Sequence, residues 1–421
     1  MRIPCRASIT GCLVLSQFVF LQAKAVDPPR LTAVTVKPAI HADHMRPHIE
    51  FLAGPNLKGR GDAEAKQEAR EYIIDQMIAA QLKPLFLKTP AGVLPSIQPS
   101  TESSNPLSAV DACVQLIPDA SDANGIEATL GHNVGFWLEG SDSRLAKEFV
   151  IVSAHYDHLG VREGQIFTGA DDNASGVAMV LEVARQLASS DTKPKRSVAF
   201  VAFDLEERLL WGSRWFAAHP PWPLHRVKLL ITADMIGRSL GNLPLPTVFA
   251  MGSEHARELK VALDQVGTPV GLEVCRLGTD LIGTRSDYGP FRDRSIPYLF
   301  FSTGEHPDYH TPQDTPEKID YDKAAGIASL ILNLTRYVAD SDRAPVWIDA
   351  IPGDLDEPRA LNRISTLLLE TEKERSLTNT QRFLITNVRN RTQRILKNQW
   401  MTPDDRIWLI RTSQLLLLSV F

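Results

Sequence analysis

The chain has 421 residues, 43% hydrophobic and 23% charged, with a formal net charge of -5. This is ordinary globular usage with enough apolar residues for a large core. A net negative balance gives no sign of nucleic-acid binding, and four cysteines are too few for a disulfide-built scaffold.

Arg2 and Arg6 form a basic start, Ile9 to Leu21 is mostly apolar, and Ala23-Lys24-Ala25 is a small-x-small site. The pattern resembles a secretory signal peptide cut after Ala25, so an exported, periplasmic or extracellular protein is expected. The apolar run is too short for a stable membrane span. Cys5 and Cys12 would leave with this leader; Cys113 and Cys275 would remain, as one disulfide or as two buried thiols. Residues 26–42 read as a Pro-rich linker.

Met45 to Leu52 reads as a helix, Gly54 to Gly61 as a glycine-rich loop with Lys58 and Arg60, and Glu64 to Gln81 as a helix with one apolar face. Lys88 to Pro106 is Pro/Ser-rich and reads as a surface excursion. Strands are then expected at Ala112 to Ile117, Asn133 to Leu138, Glu148 to Ala154, Ser197 to Phe203, Leu229 to Met235, Thr247 to Met251 and Pro297 to Ser302. Helices between them are expected at Val177 to Leu187, Glu206 to His219, His255 to Val266 and Asp322 to Val338. This alternation predicts an α/β fold, a three-layer αβα sandwich around a mostly parallel sheet, over residues 43–340. Residues 341–421 are expected to form a helical extension, with helices at Arg359 to Leu369, Thr380 to Leu396 and Pro403 to Leu418 that pack against the preceding domain.

In such sheets ligands collect at the C-terminal ends of strands. The strand before Ser-Ala-His-Tyr-Asp-His delivers His155 and Asp157 to one face of its end, and Asp171 and Asp172 sit in the loop before the next helix. Glu206 and Glu207 follow another strand, at the expected start of a helix. Adjacent glutamates cannot face the same way, so one can bind a metal while its neighbour reaches a metal-bound water. Asp234 ends a third strand, and His306, Asp308 and His310 follow a fourth. Imidazoles and carboxylates converging at strand ends suit a borderline divalent cation such as zinc.

Five ordered motifs carry a resemblance: Ala-His-Tyr-Asp-His, Gly-Ala-Asp-Asp-Asn-Ala-Ser-Gly, Glu-Glu-Arg-Leu-Leu-Trp-Gly-Ser, Asp-Met-Ile-Gly and Tyr-His-Thr-Pro-Gln-Asp-Thr. Over roughly His41 to Ala339 the chain resembles the dizinc aminopeptidases of peptidase clan MH, which include secreted bacterial leucyl aminopeptidases and, more distantly, glutamate carboxypeptidases. The resemblance implies two zinc ions per chain, with His155 and Asp234 on one, Glu207 and His310 on the other, and Asp172 bridging both. It places Glu206 as general base and Asp157 beside the His155 ligand, and it implies peptide substrates with a free N-terminus. Two departures stand out: Leu209 occupies a position usually held by glycine, and Tyr288 one commonly held by histidine. Tyr288 and Arg285 are candidates for substrate contact. A single-zinc glutaminyl cyclase and a non-catalytic receptor domain on the same fold are the alternatives. The sequence leaves the oligomeric state open.

Overall fold

The computed structural model describes residues 34–86, 112–119, 129–349, 354–373 and 376–420. The leader, the first part of the linker and the Lys88 to Pro106 excursion lie outside the described residues. The later part of the linker is partly ordered by pairing, because Thr35–Val36 runs parallel to Thr268–Pro269.

Among the described residues nine strands form the main sheet: β1 (Lys83–Pro84), β2 (Val114–Pro118), β3 (Thr129–Leu138), β4 (Phe149–His155), β5 (Ser197–Phe203), β6 (Val227–Ala233), β7 (Thr247–Met251), β8 (Glu273–Leu277) and β9 (Tyr298–Ser302). Their order is β8-β7-β9-β6-β4-β5-β3-β1, with β2 also paired to β3. The four central strands β9, β6, β4 and β5 are mutually parallel. Antiparallel partners begin where β7 meets β9 and β3 meets β5, so the sheet is mixed with a parallel centre.

The central strands are apolar throughout because both their faces are covered. Alternate residues serve opposite cores: Val150, Val152 and Ala154 of β4 face one, Phe149 and Ile151 the other. The first core is closed by α1 (Ala42–Leu52), α2 (Ala63–Ala79), α3 (Gly176–Ala188), α5 (Arg257–Gln265) and α6 (Tyr321–Asp340). Caps fix where some of these begin: Asp62 accepts from the Ala65 N–H at 2.8 Å and Asp320 from the Lys323 N–H at 3.0 Å.

The second core is closed by α4 (Trp211–Ala218) and by α7 (Asp356–Glu370), α8 (Asn379–Asn398) and α9 (Pro403–Val420). The C-terminal extension therefore completes the third layer: Leu361, Ile364 and Leu368 share a core with Phe249, Met251 and Leu277. At about 1.5–3 kcal/mol per fully buried large apolar side chain, this contact alone fixes its position. Among the described residues no helix is long and apolar enough to cross a membrane.

Two expectations need correction. The helix expected from Glu206 starts only at Trp211, because Leu205, Leu209 and Leu210 all adopt left-handed backbone angles that interrupt it. The edge strand β8 was not anticipated, since Glu273 and Arg276 break its apolar pattern. Cys113 and Cys275 are buried thiols assigned to opposite cores, and no disulfide joins them.

Candidate metal centre

The parallel strands all point their C-terminal ends at one cleft, so the loops that follow them converge. After β4 the chain carries His155, Asp157 and His158, all nearly fully buried. The loop before α3 is pinned by its own polar residues: Asn173 donates to the Ala233 carbonyl at 2.9 Å, and the Ser175 hydroxyl donates to the Asp171 carbonyl at 2.7 Å. Gly176 permits this approach, because a Cβ there would lie 2.6 Å from the Ala233 carbonyl oxygen.

Asp314 grips the same loop from the opposite side. Its carboxylate accepts from the backbone N–H groups of Asp171 and Asp172, each at 3.0 Å. Burial and the neighbouring Asp171 push its pKa up to about 6. Arg60 closes the back of the site. Its buried guanidinium donates to the carbonyls of Tyr156, Leu52, Thr168 and Gly169 at 2.5–2.8 Å, and to that of Asp172 at 3.4 Å. Burial lowers its pKa to about 10 even though Asp172 and Asp314 favour the charge.

The adjacent aspartates have different tasks. Asp171 turns inward, accepting from the Gly237 N–H at 2.6 Å and lying 3.3 Å from His306 Nε2. Asp172 turns into the cleft, and its two oxygens face different partners. Oδ1 is 3.3 Å from His155 Nε2, which is also 3.4 Å from Asp234 Oδ1. Oδ2 is 3.1 Å from His310 Nε2, which is also 3.3 Å from Glu207 Oε2. Two groups of potential ligand atoms result, each within 4.8 Å: His155, Asp172 and Asp234; and His158, Asp172, Glu207 and His310.

These groups fit divalent cations. His155 Nε2 is buried without a hydrogen-bond partner, although carboxylates surround it. The carboxylates hold protons on the imidazoles in compensation. Burial disfavours a charged His310, but its hydrogen bonds to Asp172 and Glu207 outweigh that and raise its pKa to about 10. His155 is likewise raised by Glu206 and Asp234 against the penalty of burial. Asp172, despite burial, is held well below the usual carboxylate range by the same histidines.

Glu206 stands apart from both groups and faces a neighbouring cavity beside Asp172 and Asp234. Burial, then Asp234 and Asp287, push its carboxyl well above the usual range, opposed by His155. Asp157 fixes the acidic pair from beneath: its carboxylate accepts from the Glu206 N–H at 3.0 Å and from the Glu207 N–H at 3.4 Å, and lies 3.7 Å from His155 Nδ1. Burial and Asp204 lift it to about 7.

The structure thus brings Glu206, Asp157, His155, Asp172, Glu207, Asp234 and His310 to one cleft. Arg285 sits at the rim of the cavity, 2.5 Å from Glu305. Tyr288 is elsewhere. It is fully buried, its hydroxyl donates to the Gly283 carbonyl, and its ring stacks on Tyr298 with centroids 5.2 Å apart. His158 was the ligand candidate not singled out from sequence: its Nδ1 lies 2.9 Å from Glu207 Oε1. Its place in the Ala-His-Tyr-Asp-His run was the available signal. Asp287, fully buried and raised to about 6 by burial, gave no signal beyond its neighbourhood to Tyr288.

Residues 133–335 match the profile of peptidase family M28. Aminopeptidase YwaD of Bacillus subtilis (strain 168) is 27% identical over 211 residues, which cover 48% of this chain and 43% of that protein. Glutaminyl-peptide cyclotransferase of Bos taurus is 29% identical over 213 residues, 42% of this chain and 58% of the relative. The chain therefore spans about half the length of these curated relatives. The crystal structure of Legionella pneumophila LapA aminopeptidase shares the fold, with a TM-score of 0.52 at 16% identity over 72% of this chain and 73% of that one. Every potential ligand in the cleft falls within residues 133–335, the stretch that is similar to peptidase family M28.

Proposed function

We propose that this chain is a co-catalytic dizinc aminopeptidase, which hydrolyses the N-terminal residue from peptides with a free amino terminus. The observation that carries this reading is the division of the two Asp172 oxygens between two ligand groups. His155, Asp172 and Asp234 would hold one zinc ion, and Asp172, Glu207 and His310 the other, with His158 in reach of the second. When bound, such ions polarise a carbonyl and lower the pKa of a water.

The chain's own residues account for the remaining chemistry. Glu206 takes the attacking water's proton at a carboxylate oxygen and passes it to the leaving amine nitrogen, so that a C–O bond forms as the C–N bond breaks. Asp157 keeps Glu206 and Glu207 facing their separate tasks by holding both backbone N–H groups. The polar end of the cavity, lined by Asp172, Glu206 and Asp234, would receive the substrate's α-amino group and scissile carbonyl, and so its first residue. The relative named as an aminopeptidase supports the same activity.

Glutaminyl cyclisation is the second reading, favoured by the bovine relative. A non-catalytic binding domain is disfavoured, because no potential ligand is missing and Glu206 faces the cavity. Metal analysis combined with a panel of aminoacyl chromogenic substrates and a glutaminyl peptide separates these readings. Two zinc ions per chain with release of N-terminal residues is the expected result. One zinc with ring closure of the glutaminyl peptide, and no hydrolysis, would establish the cyclase instead. Export belongs to the same proposal, and N-terminal sequencing of secreted protein should find Val26 first.

A further inference from the structure

A cavity of about 530 Å³ adjoins Asp172, Glu206 and Asp234, a volume within the ~300–1,000 Å³ typical of sites that enclose a whole small ligand. Its floor is Leu240, Phe249, Met251 and Phe300 from the sheet domain. Its far wall comes from beyond the matched family region: Leu361, Ile364 and Leu368 of α7, Val388 of α8, and Leu416 and Leu417 of α9. The charged lining residues, Asp172, Glu206, Asp234, Arg285 and Glu305, all belong to the sheet domain. The cavity is therefore charged only where the chemistry lies, and the C-terminal helices close it with a mainly apolar surface that also carries Ser365, Ser413 and Gln414.

This wall is tied to the sheet domain by specific polar contacts. Arg363 grips both carboxylate oxygens of Glu273 at 2.6 Å. Lys260 pairs with Asp354 at 2.7 Å and Asp356 at 3.0 Å, ahead of and at the start of α7. Arg406 of α9 pairs with Asp280 at 2.9 Å, and Glu357 accepts from the Gly278 N–H at 3.2 Å. Bidentate and clustered pairs of this kind fix orientation more firmly than single surface pairs.

We propose that the three C-terminal helices are the specificity wall of the site: they enclose the side chain of the substrate's first residue and select a bulky apolar one. The inference rests on the aminopeptidase reading and adds to it the substrate class and the residues that choose it. An apolar side chain leaves water and fills the cavity, while its α-ammonium stays at the carboxylate end. A small first residue would leave most of the cavity unfilled, and a charged one would meet no oppositely charged partner on the wall.

The test compares Leu361→Trp and Ile364→Phe, which fill the cavity, with Leu416→Ala, which enlarges it at a half-buried position. Phe383→Ser, on an exposed position of α8 away from the cavity, is the control. Wild type should prefer phenylalanyl over alanyl substrates in kcat/KM. The filling variants should lower that ratio at least ~10-fold, mainly through KM, since apolar pockets discriminate on this scale. Leu416→Ala should move the preference towards tryptophanyl substrates, and the control should leave the ratio unchanged. A thermal melt identifies any variant that fails to fold, and the remaining variants decide the question.

Calorimetric titration with L-phenylalaninol provides a readout independent of turnover. The filling variants should weaken its binding at least ~10-fold. Weakened binding in a chain that hydrolyses no aminoacyl substrate would uphold the wall and remove the aminopeptidase reading. Folded filling variants with an unchanged substrate ratio and unchanged binding would overturn the wall.

Discussion

The two ends of the cavity are built by different means. The carboxylate end is made by loops at the ends of parallel strands, with Arg60 donating to loop carbonyls and Asp157 and Asp314 accepting from loop N–H groups. The apolar end is made by helix faces that are uncharged and mainly apolar, and the charged contacts lie in their attachments. The difference teaches that position is enforced where charges must meet within a few ångströms, whereas the apolar wall needs only shape and volume. Substitutions at the first end should therefore act steeply on metal and fold, and those at the second should act gradually on substrate choice.

The largest expected effect is that of Asp172→Ala. Deleting the residue common to both ligand groups should empty both of the proposed zinc positions and bring the proposed hydrolysis to background, read by elemental analysis and assay of purified protein. Full occupancy with normal activity would mean that Asp172 is not the shared ligand.

Arg60→Met comes next. It removes a buried guanidinium that donates to several loop carbonyls, and each unsatisfied buried group costs about 1–3 kcal/mol. The melting temperature and the zinc affinity should fall together, while the phenylalanyl-to-alanyl ratio of the remaining activity stays unchanged. A shift in that ratio would show that the ends are coupled.

Acidity should act on the carboxylate end alone. Because His310 holds a proton up to about 10 when no cation competes, zinc must displace it, and falling pH opposes that displacement. Zinc affinity should weaken by about 1.4 kcal/mol per pH unit for each proton displaced. Equilibrium dialysis between neutral and mildly acidic pH measures the slope, and a flat profile would contradict it.

The smallest effect concerns Leu209, which is exposed and left-handed at φ 64°. Relieving a left-handed non-glycine residue recovers about 1–2 kcal/mol, and glycine's extra chain entropy offsets about 0.5–1 kcal/mol of it. Leu209→Gly should therefore stabilise slightly in denaturant titration, without changing zinc content.

The carboxylate end was legible in the sequence because polar residues are conspicuous at the ends of apolar strands. His155, Asp172, Glu207, Asp234 and His310 each stood out against the strand before them, and their common cleft follows from parallel topology. His158 was less visible because it neighbours stronger candidates in the same run. Arg60 was visible only as a basic residue in a glycine-rich loop, since its partners are backbone carbonyls that no composition reveals. The apolar end could not be read at all. Leu361, Ile364 and Leu368 show the periodicity of any core helix, and nothing local says that one part of their surroundings is a cavity. Tyr288 illustrates the reverse, because a position beside a motif suggested contact with substrate while its ring packs into the core.

The most direct test of the account separates the adjacent glutamates. Glu206→Gln removes a proton acceptor without removing a potential ligand, so it should keep both zinc ions and lose about 10²–10⁴ in kcat. Glu207→Gln replaces a carboxylate ligand by a neutral amide and should lose zinc. Side-by-side measurement of kcat and zinc content in the two variants should show this divergence. Loss of zinc from Glu206→Gln with retention in Glu207→Gln, or full activity in Glu206→Gln, would contradict it.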